Sequence, residues 1–267
     1  MRIVVCAKEV LDPDAVNAYA VAGRLTISDD GRTITQTAIP RLMNAYDEQA
    51  IEAALRIRDA GAELTITVVS AGKDPSAILK HAAALGADEI VHLRVEDGET
   101  DGVGVAALLA AFIRTSGGAD LVLCGRQASD DDQGLVPPML GELLAAPVIT
   151  VARDVTLNGA AVRVTRVTPD GDEVVEADLP AVVTISNELG APRYPTAARS
   201  MQARRMQAVV VTPAGLGLSV EELAPRVVLE RLSVPNTQGN CEFMNGGSPA
   251  ESARKLISRL RQERLLV

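Results

Sequence analysis

The feature that most constrains the fold of this chain is a regular alternation of strand-like and helix-like segments over residues 1–144. Short apolar runs rich in β-branched residues predict the strands, and apolar side chains spaced by three or four residues predict the helices. The predicted strands are Ile3–Cys6, Leu64–Ser70, Glu89–Leu93 and Leu121–Cys124, and the predicted helices begin at Asn44, Asp74, Val103 and shortly after Gly134. Strands that alternate with helices in this way pair in parallel and are covered by helices on both faces. The sequence therefore predicts an α/β fold built on a mostly parallel sheet.

After Pro147 the chain becomes rich in strand signals. Turn-forming pairs at Asn158-Gly159 and Asp170-Gly171 separate three such runs, which predicts antiparallel strands that extend the sheet. These runs are Val148–Leu157, Ala161–Thr168 and Glu173–Ala177; a buried strand is predicted over Ala181–Ser186, and an earlier hairpin over Arg24–Ser28 and Thr33–Thr37.

The last part of the chain has a different character. Residues 213–247 contain many Gly, Pro and Asn residues without periodicity, which predicts an extended arm. A capping-box pattern at Ser248, Pro249 and Glu251 then begins a basic amphipathic helix. The apolar positions of this helix, which we expect to point inward, are Ala253, Leu256, Ile257 and Leu260. We therefore expect an α/β domain over residues 1–212 and a C-terminal arm with a helix over residues 213–267.

Charge and composition exclude several classes of partner. A formal net charge of −9 argues against a duplex nucleic-acid binder and against attachment to an anionic membrane surface. No apolar run approaches the length that spans a bilayer, and the N-terminal segment is typical of a first strand rather than a signal peptide. The three cysteines, Cys6, Cys124 and Cys241, fit neither a disulfide framework nor a zinc pattern, so we expect a reducing cytoplasm and no metal.

The loop Gly125–Gly134 is the strongest candidate for a binding site. It follows a predicted buried strand and precedes a helix, the position where parallel sheets bind ligands and where helix N-termini favour phosphate. Because Pro137 and Pro138 donate no N–H, a phosphate would depend on amides around Gln133–Val136, with help from Arg126. Its acidic residues, Asp130, Asp131 and Asp132, could bind ribose hydroxyls or cap the helix. The residues alone equally allow a solvated acidic loop, and the loop is neither a Walker A motif nor a dinucleotide fingerprint.

The sequence contains no obvious catalytic group. His81 lies among alanines on a predicted helix and His92 lies within a predicted strand, so both are expected to be structural. Cys6 and Cys124 end central strands and should meet at one edge of the sheet, where small buried residues beside a ligand explain them better than a redox couple. A protein without substrate chemistry of its own is the simplest interpretation.

Six segments, in order, resemble the beta subunit of electron-transfer flavoproteins. They are Val5–Asp12 (VCAKEVLD), Met43–Glu52 (MNAYDEQAIE), Ala84–Asp88 (ALGAD), Leu123–Asp132 (LCGRQASDDD), Leu179–Thr184 (LPAVVT), and Ala191–Pro195 (APRYP) followed by Met201–Arg205 (MQARR). The matches run from the first strand to about Arg205. The resemblance implies a Rossmann-like, adenine-nucleotide-binding fold and a heterodimer with an alpha subunit that carries FAD. It also implies that the C-terminal arm and helix over residues 213–267 pack on that partner subunit.

The same resemblance implies a pocket for AMP or, in electron-bifurcating members, for a second FAD. Carried over by position, its cofactor-binding residues are Cys6, Asn44, Tyr46, Ala71, Gly125, Arg126, Gln127, Asp130, Asp132, Gln133, Gly134, Leu135 and Val136. Members that bind AMP usually continue the loop with Asn-Gln-Thr-Gly, where this chain has Gly134-Leu-Val-Pro137. Val136 and Pro138 are nearer the bifurcating pattern, although Leu135 and Pro137 depart from it, so the balance favours FAD.

The segment Pro192–Arg205 resembles the loop with which the family docks flavin dehydrogenases. The positions implied for docking are Pro192, Arg193, Tyr194, Ala197 and Met201, and Ala197 stands where a leucine is usual. By composition alone, Arg199, Arg204 and Arg205 are an ordinary solvated basic face.

Two other classes of function remain as alternatives. An ATP-using enzyme of the same fold would want a glycine-rich phosphate loop after the first strand, and Cys6–Asp12 contains no glycine. A nucleotide-binding stress-type module is typically shorter, and the extra strands and the C-terminal arm argue against it.

Overall fold

Strands and helices alternate in the computed structural model, which describes residues 1–96, 98–234 and 241–266. Its strands, numbered along the chain, are β1 (Arg2–Cys6), β2 (Glu9–Leu11), β3 (Arg41–Met43), β4 (Thr65–Gly72), β5 (Glu89–Arg94), β6 (Leu121–Gly125), β7 (Val148–Asn158), β8 (Ala161–Thr168), β9 (Gly171–Asp178), β10 (Ala181–Ile185) and β11 (Val209–Val211). Its helices are α1 (Pro13–Val21), α2 (Ala45–Asp59), α3 (Ser76–Leu85), α4 (Gly102–Thr115), α5 (Val136–Leu144), α6 (Ala197–Ala203), α7 (Val220–Leu223) and α8 (Pro249–Gln262).

Nine of these strands form one sheet in the order β11-β5-β4-β1-β6-β10-β7-β8-β9. The pairs from β11 to β7 are all parallel, whereas β8 and β9 add an antiparallel extension beyond β7. The predicted α/β class, the mostly parallel sheet and its antiparallel extension are therefore confirmed. β2 and β3 form a separate antiparallel pair.

The two faces of the sheet are covered by different helices. Ile3 and Val5 of β1 belong to a core shared with α2 and α3, whereas Val4 packs with α4 and Leu140 of α5. Successive side chains of a strand point to opposite faces, so a strand covered on both sides must be apolar at every position. The central strands β1, β6 and β10 nearly meet this requirement: Arg2 and Cys6, at the two ends of β1, are partly exposed, and Thr184 of β10 is polar but buried.

Some local predictions differ from the structure. The hairpin expected over residues 24–37 is reduced to one antiparallel bridge between Ile27 and Ile34. Helix α3 begins one residue later than expected, because Pro75 is the cap and Asp74 Oδ1 accepts the N–H of Ser76 (3.3 Å). Strands β2, β3 and β11 and helix α1 were missed, although Asp12 before Pro13 is an ordinary cap signal for α1.

The chain divides into two units, residues 1–232 and residues 233–267. The sequence suggested a boundary at residue 212, whereas the structure divides the chain 20 residues later. The intervening residues 213–232 belong to the first unit and contain a short 3-10 turn over Ala214–Leu216 and helix α7. Asp101, the N-cap of α4, binds this segment by accepting the N–H groups of Arg226 (2.7 Å) and Val227 (3.0 Å) on one carboxylate oxygen.

Helix α8 in the second unit begins as predicted, since the Ser248 hydroxyl accepts the N–H of Glu251. The Glu251 carboxylate accepts from Gly247 N, so the capping box is only half formed as predicted. Within this chain the apolar stripe of α8 is not covered, since Leu256 and Ile257 are 46% and 44% exposed. An amphipathic helix acquires a buried face only where another surface covers it.

Candidate nucleotide site

The carboxyl ends of β1 and β6 meet at the point where the strand order reverses. From β1 the chain first adds β4 and β5 on one side, and then adds β6 and β10 on the other. Ligands of open α/β sheets bind in the crevice at such a switch point, beyond the carboxyl ends of the strands. Cys6 and Cys124 are register partners across this pair of strands, as the sequence predicted. A hydrogen bond with Cys6 and burial raise the pKa of the Cys124 thiol well above its ordinary value, which makes it unreactive.

The loop that starts at the end of β6 requires a glycine at each end. A Cβ on Gly125 would lie 2.3 Å from Asp47 Oδ1 and 2.7 Å from Tyr46 Cβ, because the first turn of α2 is pressed against the end of the strand. Gly134 has φ +58°, and a Cβ there would lie 2.9 Å from the carbonyl oxygen of Arg126. Both positions therefore depend on the absence of a side chain.

Asp47 joins the ends of the two strands. Its Oδ2 accepts the N–H of Lys8 (2.8 Å) and its Oδ1 accepts the N–H of Gly125 (2.9 Å), and the residue is only 6% exposed. Burial raises the pKa of Asp47 to about 7, against the opposing effect of these hydrogen bonds. The role of Asp47 is not evident from the sequence, because an acidic side chain in the first turn of a helix is common without a role in a site.

Asn44 holds the middle of the loop. Asn44 is the N-cap residue of α2, as predicted, but its side chain makes no capping hydrogen bond. Its Nδ2 donates to the carbonyl oxygen of Gln127 (2.8 Å), and its Oδ1 accepts the N–H of Ser129 (3.2 Å). The side chain is 1% exposed, so Asn44 shapes the loop from beneath.

Ion pairs and hydrogen bonds engage the acidic residues of the loop. Lys8 Nζ lies 2.7 Å from Asp130 Oδ1 and 3.1 Å from Asp131 Oδ2. Partial burial would lower the pKa of Lys8, but the two carboxylates raise it overall, so the ammonium remains charged. Asp132 has φ +52° and accepts a hydrogen bond from Gln127 Nε2 (2.7 Å). Lys8, which the sequence analysis did not single out, is therefore a further residue of this site.

Three consecutive amides at the end of the loop are available to a ligand. The N–H of Gln133 is bonded to Asp131 Oδ1 (3.2 Å), whereas those of Gly134, Leu135 and Val136 have no acceptor among the residues that the structure describes. They immediately precede or begin helix α5, whose next two residues are prolines. Of the backbone amides over residues 133–136 that were expected to bind a phosphate, only those of residues 134–136 therefore have a free N–H among the described residues.

Arg126 provides a second positive charge at this loop, beside that of Lys8. Its guanidinium carbon lies 5.6 Å from the centre of the Tyr46 ring, and its Nε donates to Gln127 Oε1 (3.2 Å). It also faces Glu188 beyond the end of β10: a hydrogen bond from Ser186 lowers the pKa of Glu188 most, and the charge of Arg126 adds to the effect. Arg126 and Tyr46 therefore belong to the same edge of the sheet as the loop.

Ala71 lies near the carboxyl end of β4, which pairs directly with β1. It is a half-buried small residue at this edge and, like Cys6, packs against the core on the α4 side of the sheet. The preceding residue, Ser70, is 1% exposed, and its hydroxyl has no partner in the described part of the chain.

The residues implied for partner docking lie on a separate surface. Arg193 is not available there: its backbone N–H, Nε and Nη2 donate to the Glu52 carboxylate (3.2, 2.7 and 3.2 Å), and Nη2 also donates to Asp59 (2.8 Å). The next residue, Tyr194, is 94% exposed, and Met201 on α6 is 65% exposed. Pro192 is half-buried and Ala197 is exposed at the start of α6. Arg193 therefore anchors a segment that presents Tyr194 outward.

A cleft of about 570 Å³ lies at the opposite edge of the sheet, near the starts of β1, β4 and β5. It is lined by Arg2, Thr65, Asp88, Glu89, Ile90, Val91, Phe112, Ser116, Met206, Gln207 and Val209. None of the candidate cofactor residues lines it, and in open parallel sheets ligands bind at the carboxyl edge.

The fold and the switch-point loop define an α/β protein of the Rossmann-like type. A family model described as the electron transfer flavoprotein domain matches residues 32–214. The chain belongs to the electron transfer flavoprotein family and is similar to its beta subunits over most of its length.

Three relatives illustrate this similarity. The electron transfer flavoprotein subunit beta of Megasphaera elsdenii is 32% identical over 82% of this chain and 83% of that protein. The subunit beta of Thermoanaerobacterium thermosaccharolyticum is 31% identical over the whole of both chains. The caffeyl-CoA reductase-Etf complex subunit CarD of Acetobacterium woodii is 32% identical, also over the whole of both chains. Among the described residues no helix is long and apolar enough to cross a membrane.

Proposed function

We propose that this chain is the nucleotide-holding beta subunit of a heterodimeric electron transfer flavoprotein and has no substrate chemistry of its own. The observation that carries the nucleotide assignment is the group of three unpaired amides at Gly134, Leu135 and Val136, at the switch point of the sheet and beside Arg126. Consecutive N–H groups at the start of a helix, with a nearby guanidinium, suit a phosphate.

The loop that carries these amides is held in place at both ends. The two glycine positions let α2 and the Arg126 carbonyl pack against its ends, and Asn44 and Asp47 hold it from below. Residues 134–137 offer no polar side chain, so a ligand there depends on the backbone and on Arg126. Of the two adenine nucleotides that the family accommodates, this favours FAD over AMP.

We further propose that the partner is an alpha subunit that carries the electron-transferring FAD, and that the complex moves electrons between a flavin dehydrogenase and a redox acceptor in the cytoplasm. A bound flavin supplies the redox chemistry, while this chain binds and orients it. A full-length relative that is named as part of a reductase-Etf complex supports such an assembly. Tyr194, Ala197 and Met201 would face the dehydrogenase, and the exposed stripe of α8 would face the alpha subunit.

The composition of the purified complex tests this proposal. The chain is co-expressed with the alpha-like subunit encoded beside it, and the nucleotides extracted from the complex are counted. Two FAD per heterodimer would support the proposal and assign the second FAD to this chain. One FAD and one AMP per heterodimer would also support it and assign AMP to this chain. A stable homodimer without flavin would refute it in favour of a stress-type module, and turnover of ATP by the isolated chain would favour an enzyme of the same fold.

The position of the phosphate is tested by Gly134→Ala. A Cβ at this residue meets the Arg126 carbonyl at 2.9 Å and must adopt φ +58°, so the loop has to shift and the nucleotide should be lost. Gly159→Ala is the matched control, because Gly159 has φ +62° in the β7–β8 turn and nothing lies within 4 Å of its Cβ. Full nucleotide content in a folded Gly134→Ala complex would show that the phosphate lies elsewhere.

A further inference from the structure

Asp47 occupies a position from which it can control the nucleotide loop without touching a ligand. It lies in the first turn of α2, and its two carboxylate oxygens accept amides from both sides of the crevice, Lys8 after β1 and Gly125 at the end of β6. The Lys8 side chain in turn pairs with Asp130 and Asp131 of the loop. Asp47 therefore holds the start of the loop directly, through Gly125. It holds the middle of the loop indirectly, through Lys8.

The tight packing makes this attachment specific. Asp47 Oδ1 occupies the space beside Gly125 that any larger residue would need, with only 2.3 Å to an added Cβ. A neutral carboxyl or an amide has one good acceptor oxygen, and its second group carries a proton. A protonated Asp47, or an asparagine in its place, therefore leaves the N–H of either Lys8 or Gly125 without an acceptor. A buried N–H without a partner destabilises this packing of the loop against α2.

We propose that Asp47 is a positioning residue for the nucleotide loop: its ionised carboxylate ties Lys8 to Gly125 across the switch point, and protonation loosens the loop and speeds release of the nucleotide. This inference rests on the proposed nucleotide site. It adds that retention of the nucleotide depends on pH near neutrality.

The surroundings of Asp47 place this transition in an accessible range. The groups around the carboxyl are the amides of Lys8 and Gly125, the Asn44 side chain, the Lys8 ammonium and the Cys124 thiol. Burial is the dominant effect and raises the pKa of Asp47 to about 7, although the hydrogen bonds and the Lys8 charge oppose it. Because the pKa is higher in the folded than in the unfolded chain, the contribution of Asp47 to fold stability is greatest at low pH and decreases as pH rises through about 7. The retention of the nucleotide should instead increase as pH rises through about 7, because the ionised carboxylate holds the loop in place.

The opposite signs separate positioning from a merely structural role. The rate at which bound nucleotide exchanges with excess free AMP or FAD is measured for the intact heterodimer between pH 6 and pH 8, with thermal unfolding recorded on the same samples. In the wild type, exchange should become about tenfold faster as pH falls over this range, the effect of weakening one hydrogen bond to a charged acceptor. As pH falls over the same range, the contribution of Asp47 to the thermal unfolding temperature should not decrease.

Asp47→Asn should give the fast rate at every pH, with a flat profile. Asp120→Asn is the matched control, because Asp120 Oδ2 also accepts a strand amide, that of Arg2 (2.6 Å), but at the opposite edge of the sheet. It should keep the wild-type profile. The inference is overturned if the wild-type exchange rate does not change between pH 6 and pH 8. It is also overturned if the Asp47→Asn complex folds and keeps the wild-type profile. A wild-type complex that contains no nucleotide in this chain overturns the proposed function itself, and the two failures are thus distinguishable.

Discussion

Glu52→Gln tests how the exposed Tyr194 segment is held on the domain. Glu52 is a nearly buried carboxylate on α2, with 7% of its side chain exposed. It accepts three hydrogen bonds from Arg193 and one from Arg56 (3.0 Å). The amide keeps the size of the side chain but removes its charge and presents an NH₂ group to donors. The segment that begins at Pro192 should therefore lose its anchor.

The size of the effect follows from the burial of the two partners. Removing one partner of a buried, hydrogen-bonded ion pair costs about 3–5 kcal/mol. Arg193 is 33% exposed and keeps Asp59, so solvent compensates for part of the loss. We expect a loss of about 2 kcal/mol in the free energy of unfolding, which corresponds to a decrease in Tm of roughly 4–8 °C for a domain of this size.

Thermal unfolding and limited proteolysis around Tyr194 provide the assay, with Glu176→Gln as control. Glu176 meets Arg163 at 3.5 Å with both side chains about half exposed, so its loss should change stability by no more than about 0.5 kcal/mol. Burial would raise the pKa of Glu52, but its hydrogen bonds hold it below the ordinary value. The stability it adds is therefore present above about pH 4.5 and is lost as pH falls through the lowered pKa. If Glu52→Gln matched the control in Tm and in protease resistance, the anchoring role would be refuted.

Two further predictions concern other parts of the first unit. Asp101→Ala removes the N-cap of α4 and the acceptor for Arg226 and Val227, so the domain should lose about 1–2 kcal/mol. Hydrogen exchange should accelerate at these two amides, and unchanged protection there would contradict the role of Asp101 in binding the segment. The hydrogen bond that the His81 ring donates to the Glu48 carboxylate raises the pKa of His81, so this partly exposed pair should add a small stability below about pH 6.5 that is lost as pH rises through the raised pKa. His81→Gln should remove this part of the pH dependence of unfolding, and an identical pH profile would exclude it.

The site was only partly accessible from the sequence. Gly125 and Gly134 could be recognised, because a glycine at each end of a strand-to-helix loop is a local signal. Asp47 could not, since an acidic residue in the first turn of a helix is common and the two amides that donate to it are distant in sequence. Asn44 was recognised as the N-cap position of α2, but the loop amide and carbonyl that its side chain binds are distant in sequence and could not be inferred from it.

The sequence by itself determined the fold class and the place of the loop, since both depend on periodicity and on residues that are neighbours along the chain. The runs at β1 and β6 are apolar at nearly every position because both faces are covered, and that pattern is visible without coordinates. Tertiary structure alone decided which groups converge at the carboxyl edge. The placement of β6 beside β1 brings Lys8 and Asp47 to the loop, and the folding of α2 onto the strand ends buries Asp47. Burial and long-range contacts set the pKa of a carboxylate and the partners of an amide, and neither is encoded in the spacing of residues.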